Sequence, residues 1–274
     1  MKKKSRTWWK KAAAVLVLTV VCMLGAKGGS VEAATVKYAS ELKRNGTNVT
    51  YQIGSHRYYA KYSERGKSAL YEVKNGKRTR IAQASRYFQF QAMAEYGNYL
   101  YYTLNDGSGG CDLYRYNRKT KKKALVRRSV RTMLIVKGKL ITNGFATDVS
   151  AVPIYVSRLD GKKAKRIAKN SDQAKMKVYG NRIYYIEKTF NSNHTKSTQR
   201  LVSRTLTGGK RKVYGKAIKS PASICYFDNQ YLIYSTGTYS SGTKYYQLNL
   251  KNNKKRRIYP SSDTINEWYD QYYY

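Results

Sequence analysis

Residues that carry chemistry are scarce in this chain. Its 274 residues include two histidines, three cysteines and 15 aspartates and glutamates, against 54 lysines and arginines. His56 and His194 lie far apart, with no spacing that makes a zinc site. No G-x-S-x-G, P-loop or H-E-x-x-H motif occurs, and Asp106, Asp112, Asp148, Asp160, Asp172 and Asp228 are scattered. No metal, cofactor or catalytic residue is therefore expected, and the chain reads as a non-enzyme. The alternative is a glycan-processing enzyme whose two carboxylates converge only in space. No base-reading helix or zinc module is recognisable, which argues against sequence-specific nucleic-acid binding.

Proline is confined to positions 153, 221 and 260. No proline-rich or glycine-serine linker divides the chain, so a single domain and a monomer are expected. Apolar runs are also short. Lys2, Lys3, Lys4, Arg6, Lys10 and Lys11 precede the longest, residues 12–26, which falls below the roughly 18 to 20 residues of a membrane span. With small residues around Ala33 and Ala34, this is the pattern of a signal peptide over residues 1–33. An uncleaved anchor is the alternative, and Val21 before Cys22 argues against lipid attachment. A secreted or envelope-associated, extracytoplasmic protein is thus expected. Residues 1–33 hold seven lysines and arginines and one acid, so residues 34–274 carry about +33. Cys111 and Cys225 remain. They fall in separate repeats and are expected as buried free thiols, not a disulfide.

What the chain has in quantity is tyrosine, 29 residues of it, and repetition. The stretch GNYLYYTLNDGSGGCDLYRYNRKTKKKALVRR (residues 97–128) has weaker or stronger copies, whose register marks are Ser55, Gly97, Lys137, Gly180 and Asp228. The spacings are 42, 40, 43 and 48 residues. Short aromatic and β-branched runs separated by turn residues, with no amphipathic helix, make each repeat a four-stranded antiparallel unit, strands a to d. Five full repeats, approximately 48–82, 83–126, 127–167, 168–214 and 215–259, are followed by a partial one over 264–274 that echoes strands a and b. The expected fold is an all-β propeller. Six blades are favoured, the sixth a composite of residues 264–274 with a strand from residues 35–44; five blades, or an open array, are the alternatives. Tyrosine pairs recur at Tyr58-Tyr59, Tyr101-Tyr102, Tyr184-Tyr185, Tyr245-Tyr246 and Tyr272-Tyr273. Neighbouring strand residues face opposite ways, so each pair is expected to put one ring in each layer between blades; an aromatic platform for glycan or nucleic acid is the alternative.

Every turn between strands c and d is basic. The clusters are Lys77, Arg78 and Arg80; Lys121, Lys122 and Lys123; Lys162, Lys163, Lys165 and Arg166; Lys210, Arg211 and Lys212; and Lys254, Lys255, Arg256 and Arg257. Repeat symmetry gathers them at one face as a broken ring. Edge protection accounts for some lysine in outer strands, but not for the near absence of acids in the same turns. A polyanion partner follows: an anionic cell-wall polymer or a membrane surface, bound through a salt-sensitive, sequence-independent attraction. The loops between strands b and c lie at the other face and vary in length, the longest expected over residues 190–198, so a selective site or protein partner is expected there.

Three phrases, Leu113-Tyr114-Arg115-Tyr116-Asn117, Ile154-Tyr155-Val156-Ser157-Arg158-Leu159-Asp160-Gly161 and Gly180-Asn181-Arg182-Ile183-Tyr184-Tyr185, resemble a propeller-like domain family of unknown function. That family occurs in exported proteins of Gram-positive bacteria and is similar in style to TolB-type and low-density-lipoprotein-receptor-type propellers. The resemblance spans most of residues 48–274 and implies an exported interaction or sensor module without a known catalytic set. The leading expectation is a non-catalytic binding module held to anionic wall or surface polymer by its basic face. A protein-protein scaffold using the loop face is the first alternative.

Overall fold

The computed structural model describes residues 35–85, 87–105, 110–144, 151–172, 176–193, 196–218, 222–227, 230–237 and 242–270. The expected signal peptide, His194, Asp106, Asp148, Asp228 and the Tyr272-Tyr273 pair lie outside the described residues. Two short strands come first, β1 (Val36–Tyr38) and β2 (Ser40–Asn45). The first four-stranded unit is β3 (Asn48–Ile53), β4 (His56–Lys61), β5 (Ser68–Lys74) and β6 (Lys77–Ala84). The second is β7 (Gln89–Tyr96), β8 (Tyr99–Asn105), β9 (Cys111–Asn117) and the first half of β10 (Lys123–Val136). The other half of β10 opens the third, with β11 (Lys139–Gly144), β12 (Val152–Arg158) and β13 (Lys165–Ser171). The fourth is β14 (Lys177–Tyr179), β15 (Arg182–Phe190), β16 (Ser197–Thr205) and β17 (Lys212–Ile218). The fifth is β18 (Ala222–Phe227), β19 (Tyr231–Thr236), β20 (Lys244–Asn249) and β21 (Lys255–Ile258). All ladders between neighbours within a unit are antiparallel.

Last strands feed the first strands of the units that follow. β10 pairs with β9 from Lys123 to Val130 and with β11 from Val130 to Val136, and Ser171 at the end of β13 pairs with Glu187 of β15. Burial alternates along the strands as a two-sided sheet requires. In β3, Val49, Tyr51 and Ile53 are buried while Thr50 and Gln52 are half-buried.

The core is a series of layers, each shared by consecutive units. Tyr58 and Leu70 of the first meet Leu100 and Tyr102 of the second. Tyr101 and Leu113 meet Ile135 and Leu140 of the third. Ile141 and Ile154 meet Ile183 and Tyr185 of the fourth, and Tyr184 and Leu201 meet Leu232 and Tyr234 of the fifth. The adjacent tyrosines 101 and 102, and 184 and 185, thus divide between two layers, as strand alternation requires. Some rings stack along a layer: Tyr102 on Tyr114 at 5.5 Å and Tyr234 on Tyr246 at 5.3 Å between centroids.

Both chain ends depart from the repeat-based expectation. Residues 35–44 were expected to pair with the C-terminal stretch. Instead β1 pairs with β7 and β2 with β3, the Ala39 amide donates to the Met93 carbonyl at 2.9 Å, and the Tyr38 hydroxyl accepts from the Ile135 amide at 2.9 Å. The segment therefore ties the first three units together at their inner strands. Residues 264–270, expected as strands, belong instead to helix α1 (Ser262–Asp270), so the composite sixth blade is not formed there. A lone strand pair had no outer partners, whereas helix-start signals are present. Pro260 precedes Ser261, whose hydroxyl accepts from the Thr264 amide at 3.3 Å, and Asp263 lies in the first turn. The helix lays Ile265 and Trp268, three residues apart, over the far face of the fifth unit. Trp268, 8% exposed, stacks on Tyr226 at 6.3 Å and tilts on Tyr245 at 5.8 Å.

Trp268→Ala is expected to lower stability by about 3 kcal/mol, read by urea unfolding; a loss near zero would show that the helix does not cover this face. Burial also raises tyrosine pKa values: Tyr101 and Tyr234 are each pushed up to about 12. Such groups favour the folded state below the unfolded value near 10 and stop doing so as pH climbs toward 12. Tyrosinate absorbance and loss of β circular dichroism should therefore rise together between about pH 10 and 12. A smooth tyrosine titration with the fold intact would contradict this.

Candidate functional site

The turns between strands c and d gather at one end of the array. Within units they sit against the a-to-b turns: the Arg118 amide donates to the Asn98 carbonyl, Leu206 to Asn181 and Leu250 to Gln230, at 2.8 to 3.0 Å. Between units, each of these turns from the third unit on packs on the last strand of the unit before. Gly161 abuts the Val126 carbonyl so closely that no side chain fits there, Gly208 lies on Ile167, and Tyr214 donates to Asn253 at 3.1 Å. The structure thus brings the five basic clusters to the same end, with all of their named lysines and arginines exposed. Among the described residues, Arg211 alone of them has an acidic partner, Glu187, shared with Arg200. Burial pushes the Glu187 carboxyl up, and the hydrogen bonds and charges of Arg211 and Arg200 outweigh this, leaving it below the ordinary carboxylate range. Several others lie over rings of their own unit: Arg78 over Tyr59 at 4.0 Å, Lys255 over Tyr246 at 4.9 Å and Arg257 over Tyr259 at 4.7 Å.

Backbone conformation singles out three of these lysines. Each turn contains a left-handed residue that is not glycine: Asn75, Lys121, Lys163, Lys210 and Asn253, with φ between 45° and 60°. In the second and fifth units the turns match bond for bond. The amides of Lys121 and Asn253 donate to the carbonyls of Asn117 and Asn249 at 2.8 Å, and the side chains of those asparagines accept from the amides two and three residues on. Asparagine suits a left-handed turn position; lysine does not.

A buried polar cluster at the same end escaped the sequence reading. Glu95, 4% exposed, accepts from the Tyr58 hydroxyl at 2.5 Å and pairs with His56 at 3.0 Å and Arg118 at 3.4 Å. His56 is thus half-buried in a polar network. Burial, then the Glu95 hydrogen bond and charge, hold the Tyr58 hydroxyl far above its ordinary pKa. Glu95 and Arg118 stand where the next layer has Ile135 and Leu159 and the one after has Val178 and Leu206. The signal was therefore present as charges at apolar repeat positions.

The opposite end carries the b-to-c connections. The β15–β16 ladder runs out to Phe190 and Ser197, so the loop expected over 190–198 is shorter than its sequence implied. A cavity of about 170 Å³ opens at this end where the first and second units meet, lined by Arg44, Lys61, Tyr51, Gln91, Thr103 and Cys111 among others. Cys111, expected buried, is half-buried; Cys225 is buried, and both are free thiols. Among the described residues no group of three or more His, Cys, Asp or Glu could hold a metal, and no helix is long and apolar enough to cross a membrane.

No family model and no curated protein matches the sequence. Among solved structures, the chain is similar to a prolyl endopeptidase at 13% identity and TM-score 0.54, over 81% of this chain and 35% of that one. It also aligns with TolB from Acinetobacter baumannii at 11% identity and TM-score 0.44, over 83% and 63%. A third alignment is with the β-propeller domain of the Trilobed protease from Pyrococcus furiosus, at 10% identity and TM-score 0.46, over 82% and 71%. The chain therefore spans about a third of the length of the endopeptidase it matches. The likeness to the endopeptidase concerns the fold alone, an array of antiparallel β-sheet units.

The polar cluster has a clean test. Glu95→Ile or Arg118→Leu alone should cost about 3 kcal/mol by stranding the other charge, while the double substitution should cost less than the sum of the two, the Tyr58 hydroxyl still being left without Glu95. Additive losses would mean that the pair is not a unit.

Proposed function

We propose that this chain is an exported, non-catalytic binding module, a propeller-like array of five four-stranded units over residues 34–274, whose basic turn end adheres to anionic polymers of the cell wall or surface. The observation that carries this reading is the lysine at left-handed positions 121, 163 and 210. A left-handed lysine is disfavoured by about 1 kcal/mol, and the fifth unit uses Asn253 at the position equivalent to Lys121. Edge protection requires charge somewhere on an outer strand; it does not require lysine at a conformationally unfavourable turn residue. Strain of this kind is typical of positions held by function. The partner this suits is an array of phosphates or carboxylates, because exposed cations with few acidic neighbours give an attraction that is long in range and indifferent to sequence. A phosphodiester wall polymer is the first candidate, with anionic lipid headgroups the same chemistry on another support. A scaffold that recruits a protein partner at the loop end is the second reading, favoured by the cavity there.

Retention of residues 34–274 on purified teichoic polymer and on intact wall should fall about a thousandfold or more between roughly 0.05 and 0.2 M salt if six or more phosphates are engaged. Replacing Lys121, Lys122, Lys123, Lys254, Lys255, Arg256 and Arg257 with neutral residues should abolish it with the fold kept. The substitutions Lys121→Asn, Lys163→Asn and Lys210→Asn together should raise stability, by about 0.5 kcal/mol each, while weakening retention. Retention that ignores salt and these substitutions would refute polymer adhesion and leave the loop-end scaffold.

A further inference from the structure

We propose that the loop-end cavity between the first and second units binds a single pyranose ring carrying one acidic group. This goes beyond adhesion at the turn end, since the cavity lies at the other end of the strands. Its volume of about 170 Å³ is close to the roughly 150 Å³ that accepts a benzene ring when the walls are apolar. A six-membered ring is therefore the right size, and the walls decide which kind.

Two lining residues set the demand. Tyr51 and Thr103, 7% and 4% exposed, each bring a hydroxyl-bearing side chain to the cavity wall. An apolar occupant would strip these hydroxyls of solvent at a cost of about 1 to 3 kcal/mol each, so one with hydroxyls of its own is favoured. Burial keeps the Tyr51 phenol protonated, its pKa pushed up to about 12, with the Arg44 charge opposing the shift in part. It is thus a permanent donor. Gln91, on an exposed strand position, adds an amide that both donates and accepts.

Charge at the rim limits the ligand to one acidic group. Arg44 is neutralised by Glu41, Nε to Oε1 at 2.9 Å and Nη2 to Oε2 at 2.5 Å. Lys61 is exposed and has no acidic partner among the described residues. One uncompensated cation beside a polar, ring-sized cavity matches a sugar acid or a sugar phosphate. Water alone would also fill the space, about five or six molecules of roughly 30 Å³ each, and a site that holds only water would not discriminate among sugars.

The test uses the chain of residues 34–274, with glucuronate and glucose 6-phosphate as acidic pyranoses, glucose as the neutral ring, and acetate and inorganic phosphate as acids without a ring. Binding is read by calorimetry and by the rate of Cys111 alkylation, since that half-buried thiol lines the cavity. The acidic pyranoses should bind about tenfold more tightly than glucose and slow Cys111 modification, and the ringless acids should do neither. Lys61→Met, an exposed substitution that leaves the fold unchanged, should erase the preference for acid. Thr103→Val should weaken every pyranose by about tenfold. Acetate or phosphate protecting Cys111 as well as the sugars do, binding without protection of Cys111, or no binding of any pyranose would each overturn the proposal.

Discussion

A four-stranded antiparallel sheet has two faces, and neither can be left to water when both carry aromatic and aliphatic side chains. Each unit here meets that constraint by sharing its layers with its neighbours. Tyrosine suits the task because adjacent residues of one strand serve two layers, each ring adding area while its hydroxyl seeks a polar atom at the edge. The Tyr101 hydroxyl, for example, reaches across to the Leu159 carbonyl at 3.0 Å. At the C-terminal side no sheet follows the fifth unit within the described residues, and a short helix with one tryptophan takes that place.

Wherever the repeat continued, the sequence announced the structure. Strands of the second unit begin and end within a few residues of the aromatic runs that mark them, and the asparagine and glycine turns fall between. Legibility failed where the repeat was not the governing pattern. The run Trp268-Tyr269 looked like strand because it echoed earlier strands, yet Pro260, Ser261 and Asp263 write a helix start. Residues 35–44 were recognisable as extended but not in their pairing, because a three-residue strand carries too little pattern to specify a register. The basic clusters could be read one by one, and their gathering at one end followed from repeat symmetry. The cavity could not be read: its walls come from β2, β3, β4, β7, β8 and β9, whose side chains meet only once the units are stacked.

The two departures from repeat chemistry trade stability for something else. Glu95 and Arg118 occupy positions filled by aliphatic residues in later layers. A buried ion pair rarely outperforms such packing in energy. Tyr58 and His56 of the first unit meet this pair across the layer, so the network also links the two units. The left-handed lysines are the surface counterpart: the backbone would be better served by asparagine, and what is kept instead is positive charge at the tip of a turn.

Tyr38 and Ile135 are 97 residues apart, joined by the tyrosine hydroxyl that contacts both the amide and the carbonyl of that isoleucine. A chain that emerges from its N-terminus begins to stack its first units as they appear. Its opening segment, however, has no complete seat until the third unit has been made. The earliest residues to arrive are thus among the last to settle. β1 can close the inner edge of β7 once the second unit exists, and the bond of Tyr38 to Ile135 completes the seat when the third follows.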